Sequence, residues 1–141
     1  MAFLREEITV NYLNQRAEGT LPELLGIKIL TLEEGKVTSR MDVAAAHLAP
    51  NGFLHAASII ALADTSCGNA SFAHLPGDAN NFTTIEIKSN HLGTVREGTV
   101  ICTATAQHLG KNTQVWDAVV SEEKSGKRLA LFRCTQMVLR P

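Results

Sequence analysis

The chain has 141 residues, 45% of them hydrophobic and 19% charged, and a formal net charge of −1. That length suits a single domain over residues 1–141 with one sizeable core, and the composition excludes a disordered chain. No long basic stripe supports nucleic-acid binding, and no apolar run is long enough to span a bilayer.

Residues 4–17, LREEITVNYLNQRA, predict a short helix. Leu4, Ile8 and Tyr12 recur at helical spacing, with Glu6, Thr9 and Arg16 on the far side; Val10 and Leu13 fall outside the stripe. Gly19 and Pro22 are expected to end it. Arg5, Glu6 and Glu7 interrupt the N-terminal stretch, which argues against a secretory leader. Residues 26–33 and 36–43 flank Glu34-Gly35 and predict a hairpin. The second segment alternates cleanly, while the first sets Ile27 and Ile29 on one face and Leu30 and Leu32 on the other. A loop over 44–54 leads to a helix over 55–73. Gly68 falls inside that helix, where it costs about 1 kcal/mol relative to alanine. Pro76-Gly77-Asp78 is the exit turn. Four strands are predicted over 82–92, 99–109, 113–122 and 128–139. In the first of them Ile85 and Ile87 are expected on one face and Thr84, Glu86 and Lys88 on the other; which face looks inward is open. This order is α+β, with an antiparallel sheet able to wrap one long apolar helix.

That helix carries the chemistry. From Leu48 to Gly77 the only Asp, Glu, Lys or Arg is Asp64. A carboxylate in so apolar a run loses hydration at a cost of several kcal/mol, and no Lys or Arg lies three or four residues away to pair with it. Asp64 is therefore either held by a distant partner or there to react. Ala56 and Ala57 open the helix, where the first N–H groups lack intrahelical partners and the dipole is positive. Small residues let a carbonyl or oxyanion approach those donors; tight packing against a strand is the other reason for them. Asp64 lies eight residues beyond Ala56, roughly 12 Å along the axis. One helix cannot bring both to a single reacting carbon, so a site using both must be shared between two chains. A lone apolar helix and open sheet edges suggest a homodimer or homotetramer.

His55 can donate a hydrogen bond or fix the loop, and a structural role is equally open. The other four histidines lack metal-ligand spacing and read as structural or solvated. Asn51 and Gly52 suit a turn first and a ligand second. Thr65 and Ser66 can bond nearby groups, with back-bonding to the helix as the plainer expectation. Lys88, Arg96, Lys111 and Arg128 are dispersed bases whose default is solvent, with contact to a nucleotide phosphate as the minority role. Cys67, Cys102 and Cys134 show neither metal nor disulfide spacing. They are expected to be buried free thiols, in keeping with a reducing, cytoplasmic setting.

The run NGFLHAASIIALADT is similar to the helix-opening motif of the hotdog-fold acyl-CoA thioesterases, in the phenylacetyl-CoA (PaaI-type) and 4-hydroxybenzoyl-CoA branch. Gly52, His55 and Asp64 stand in the motif's register. Ala56 and Ala57 replace its two glycines, and its Asn or Gln falls on Ala49. The segment ATAQHLGKNTQVWDAVVSEEKSGKRLALFR resembles the family's last strands. The resemblance implies a hotdog fold and hydrolysis of aryl or medium-chain acyl-CoA thioesters. Asp64 would be nucleophile or general base, the Ala56 N–H would polarise the carbonyl, Thr84 would position water, and His55 would support the loop. Asn51, Gly52, Thr65 and Lys111 are the expected substrate contacts. No metal or cofactor is needed, since CoA carries the substrate. A non-catalytic acyl-CoA-binding protein and a dehydratase-like enzyme are the other hotdog functions that fit.

Overall fold

The computed structural model describes residues 3–141. The elements are α1 (Val10–Arg16), α2 (Leu21–Leu25), β1 (Ile27–Glu33), β2 (Lys36–Asp42), a 3-10 turn (Ala45–His47), α3 (Ala56–Ala73), β3 (Asn81–His91), β4 (Thr99–Leu109), β5 (Thr113–Glu122) and β6 (Arg128–Leu139). The strands form one six-stranded antiparallel sheet in the order β1-β2-β4-β5-β6-β3. α3 packs against all of them, the hotdog arrangement.

Alternation sets the buried face of the sheet. Val37 and Met41 on β2, Val100, Cys102 and Ala104 on β4, Trp116, Ala118 and Val120 on β5, and Ala130, Phe132 and Cys134 on β6 are all buried. They meet Ile59, Leu62, Ala63, Cys67 and Ala70 of α3. Small residues on the helix let it sit close to the sheet. The three cysteines are buried free thiols.

The N-terminal helix differs from its expected form. It begins only at Val10, because the Thr9 side chain accepts the Tyr12 N–H at 3.0 Å and starts the helix there. Leu4 and Ile8 therefore precede it, and its phase buries Leu13 while Tyr12 is 43% exposed. Pro22 does not merely end a helix: it sits in the first turn of α2, where its missing N–H costs nothing. Gly26 closes α2 in the left-handed conformation, φ 74°.

Two bulges re-phase strands that the sequence pattern misassigns. One between Ile29 and Thr31 turns Leu32 back to pair with Val37, so Leu30 and Leu32 do not form the expected second face, and Leu30 is left exposed. The other lies between Thr84 and Glu86. Thr84 pairs with the buried Gln136 and Ile87 with the buried Cys134, so both lie on the sheet face that carries α3, although at this edge both remain exposed. The expected division, Thr84 with Glu86 and Lys88 against Ile87, is thus corrected by one extra residue.

Buried polar groups hold the end of α3 to the sheet. The Gln114 amide donates to the His74 carbonyl at 3.0 Å and accepts from the Trp116 indole at 2.8 Å. The His74 ring donates to the Ala70 carbonyl, accepts the Gly35 N–H and meets Trp116 edge-on. Burial holds the His74 pKa below its ordinary value, so the ring stays neutral. Gln114→Leu strands the indole N–H and a helix carbonyl in the core. It should destabilise the fold by about 1–3 kcal/mol in urea unfolding. A change within about 0.5 kcal/mol, the level of an ordinary surface substitution, would show that these bonds do not anchor the helix.

Candidate active site

α3 starts where the chain turns out of a pinned loop. Gly52 sits at φ 85°, a conformation that strains residues with a side chain. The Leu54 N–H donates to the Val95 carbonyl and the His55 N–H to the His47 carbonyl. His47 is itself buried, bonded to the Ala44 N–H and the Leu25 carbonyl. Asn51 is exposed and caps its own turn, its side-chain oxygen accepting the Phe53 N–H at 3.2 Å.

His55 is the N-cap of α3, and its Nδ1 accepts the Ala57 N–H at 2.9 Å. That bond puts the proton of the neutral ring on Nε2, and it consumes the Ala57 donor. The Ala56 N–H has no acceptor among the described residues. Ala56 and Ala57 are exposed, so tight packing on a strand does not explain their size. The free donor opens on a cleft of about 330 Å³ whose lining includes Ala49, Asn51, His55, Ile59 and Thr94.

Asp64 lies in the middle of α3, half-buried, with Oδ1 shielded from solvent and bonded to nothing. Burial alone pushes its pKa above the ordinary aspartate value. Among the described residues no side chain or backbone group holds it. Asp64 lines a second cleft of about 320 Å³ with Thr65, Gly68 and Asn69 of α3, Arg16 of α1, and Phe82 and Thr84 of β3. Thr65 thus faces the cleft, whereas Ser66 bonds back to the Leu62 carbonyl inside the helix. Thr84 shares the face of Phe82, and the bulge after it puts Glu86 and Lys88 on the opposite face.

The expected site residues therefore fall in separate places within one chain. Asp64, Thr65 and Thr84 share one cleft; Asn51, His55 and Ala56 share another. Gly52 supports the turn beside the second, next to Arg96, whose guanidinium stacks over Phe53 at 4.1 Å. Lys111 borders a third cavity of about 690 Å³ with Arg5, His74, Asp78 and Arg140. The sequence reading missed Arg16, Asn69 and Phe82 beside Asp64. Asn69 lay one helical turn beyond Thr65, and Phe82 two residues before Thr84 on the same face, so spacing could have found both. Arg16 was expected to point to solvent; instead it lines the cleft and stacks over Phe72 at 3.6 Å.

A six-stranded antiparallel sheet wrapped around one long apolar helix defines a hotdog fold. Residues 51–128 match the model of the Thioesterase superfamily, and the chain belongs to that family. It is 35% identical to a 1,4-dihydroxy-2-naphthoyl-CoA hydrolase of Listeria monocytogenes, over 82% of this chain and 92% of that one. It is 32% identical to the proofreading thioesterase EntH of Klebsiella pneumoniae, over 96% and 97%. A mutant form of thioesterase PA1618 from Pseudomonas aeruginosa superposes with a TM-score of 0.93 at 29% identity, covering 99% of this chain and 100% of that one. The chain is accordingly an enzyme of the hydrolase class. Among the described residues, no helix is long and apolar enough to cross a membrane.

Burying Asp64 has a sign that can be measured. Its carboxyl keeps its proton to higher pH in the folded state than in the unfolded chain. Stability therefore falls as pH rises between the two values. Asp64→Asn should raise the melting temperature at neutral pH, and the gain should shrink as pH approaches the ordinary aspartate pKa of about 3.9. Thermal scans showing a loss of stability at neutral pH would mean that the ionised carboxylate is held by the fold after all.

Proposed function

We propose that the protein hydrolyses acyl-CoA thioesters at a site shared between two copies of the chain. The observation that carries this reading is the pair of unsatisfied groups on α3: the Asp64 carboxylate in one cleft and the Ala56 N–H in the other. Eight residues separate them, roughly 12 Å of helix. An antiparallel second copy would bring one chain's Asp64 to the other chain's Ala56. β3 supports such pairing. It bonds only to β6, leaves its other edge open, and exposes Ile85 and Ile87.

In that site the thioester oxygen accepts the Ala56 N–H and sits at the positive end of α3. Asp64 acts in one of two ways. As general base it takes a proton from a water held by Thr84, and the water oxygen attacks the carbonyl carbon. As nucleophile its oxygen attacks directly to give a mixed anhydride, which water then cleaves. Both routes expel the CoA thiolate and leave the free acid. Desolvation by burial raises the pKa of Asp64 and so its basicity, which serves either role. His55 fixes the loop and consumes the competing Ala57 donor, leaving Ala56 as the free one. Asn51, Gly52 and Thr65 line the approach of the pantetheine arm and acyl group, and Lys111 meets a CoA phosphate. Three buried free cysteines fit a reducing, cytoplasmic setting.

A panel of aryl- and alkyl-CoA substrates with thiol detection should show turnover by the wild type. Asp64→Asn should lower it by about 10²-fold or more, on the order of 3 kcal/mol, with the fold intact. The acid limb of the rate profile should lie above the ordinary carboxylate range, because the active form is ionised and burial disfavours it. Near-normal turnover by the folded Asp64→Asn variant would remove Asp64 from the mechanism.

Sharing of the site is tested by mixing. Ala56→Pro deletes the N–H at a position where proline is tolerated, and His55 before it already has extended backbone, φ −66° and ψ 138°. Each variant alone should be nearly inactive. Refolded together in equal amounts, about half the dimers should be mixed, each with one intact site, restoring roughly a quarter of wild-type activity. No recovery in verified mixed dimers would confine the site to one chain.

A further inference from the structure

The cleft beside the Ala56 N–H holds a second histidine. His91 ends β3 and lines that cleft with Ala49, His55 and Ala56. Ser89 and His91, two residues apart, pair with the buried Phe132 and Ala130 of β6, so both stand on the sheet face that carries α3. The Ser89 hydroxyl lies 3.0 Å from His91 Nε2. That bond ties down no loop and caps no helix. Among the described residues it is the only hydrogen bond made by either side chain, and the ring itself is exposed. The other polar side chains of the cleft each hold backbone nearby. His55 Nδ1 accepts the Ala57 N–H, the Asn51 oxygen accepts the Phe53 N–H, and the Thr94 hydroxyl donates to the Leu54 carbonyl. Such anchoring accounts for those three and does not account for His91.

We infer that His91 is a second donor to the thioester oxygen, with the Ser89 hydroxyl donating to Nε2 and the Nδ1–H left for the substrate. The inference rests on the acyl-CoA reading above and names a further catalytic residue for it. A neutral imidazole that accepts a hydrogen bond at Nε2 carries its proton on Nδ1. Oxyanion sites bring more than one donor to the developing charge. Ala57, the next residue of the helix, cannot be the second one, because His55 accepts its N–H. As an oxygen adds to the carbonyl carbon, the C=O electron pair moves onto the carbonyl oxygen. The Ala56 N–H and the His91 Nδ1–H both donate to it. When the C=O bond re-forms, the C–S pair leaves with the CoA thiolate, and His91 gives up no proton in the cycle. His91 and Ala56 belong to one cleft of one chain, so in the shared site both act with the Asp64 of the second copy.

The test compares His91→Leu, His91→Asn and Ser89→Ala in the full chain. S-acetonyl-CoA, isotope-labelled at its ketone, is the infrared probe; the ketone stands in for the thioester carbonyl and is not hydrolysed. In wild type the bound carbonyl stretch should fall below that of the free probe, and His91→Leu should reverse a clear part of that shift. His91→Leu should lower kcat by about 10²-fold or more with KM little changed. His91→Asn, whose amide N–H falls near Nδ1, should recover part of both, and Ser89→Ala should lie between wild type and His91→Leu. Mixed dimers place the residue. Refolded with Asp64→Asn, His91→Leu should recover roughly a quarter of wild-type activity. Refolded with Ala56→Pro it should recover none, since both defects fall in one cleft. Recovery with Ala56→Pro, near-normal kcat in folded His91→Leu, or a carbonyl shift that His91→Leu leaves intact would overturn the inference. If His91→Leu does not fold, the shift in Ser89→Ala decides alone. If no pair of variants complements, the infrared result decides. A wild-type shift that His91→Leu removes, in a protein that hydrolyses nothing, would leave His91 as a donor and remove the hydrolytic reading.

Discussion

The burial of α3 in the concave face of the sheet is the contact on which the molecule depends. Each strand contributes alternate residues to that face, and α3 answers with Ile59, Leu62, Ala63, Cys67 and Ala70. The helix has few polar positions because nearly all of its surface meets protein. Its C-terminal end is held by the Gln114, His74 and Trp116 bonds, and its N-terminal end by the His47 and Val95 carbonyls. With both ends fixed, the groups along the helix are held in place without any reorganisation of their own.

Two features oppose this stabilisation. Asp64 leaves an oxygen shielded and unbonded, and Gly68 weakens the helix one turn later. Both lie on the same stripe facing the same cleft. Among the other core polar groups, Ser66 and Ser71 bond back to helix carbonyls and His74 bonds on both ring nitrogens, whereas the buried Gln136 Oε1 on β6 has no partner among the described residues. Asp64 and Gly68 thus place two unfavourable local choices at one cleft.

The bulges show how a sheet aims a side chain. After Thr84, one extra residue separates Thr84, which lines the Asp64 cleft, from Glu86 and Lys88, which strict alternation places on its face. At Ile29, the same device pairs Leu32 with Val37, leaving Leu30 exposed at the bulge. Neither required an unusual residue. The long pairings of β3 with β6 and of β1 with β2 set the register from both sides of the shift.

The sequence alone determined the α+β class, the strands over 99–109, 113–122 and 128–139, the buried free cysteines, and α3 within one residue at its start. These follow from local pattern: period-two alternation, turn residues, and an uninterrupted apolar run. It also isolated Asp64, because a single charge in such a run is conspicuous without coordinates. Tertiary structure decided the rest. Whether Asp64 had a partner, whether Ala56 was exposed, and which way Thr84 faced depend on residues far away in sequence. The stripe of Leu4, Ile8 and Tyr12 misled because a cap at Thr9, a local hydrogen bond, reset the helix phase. Arg16 beside Asp64 and the Phe82 ring packed against Gly68 were not legible at all. A contact across the fold has no signature in the spacing of neighbouring residues.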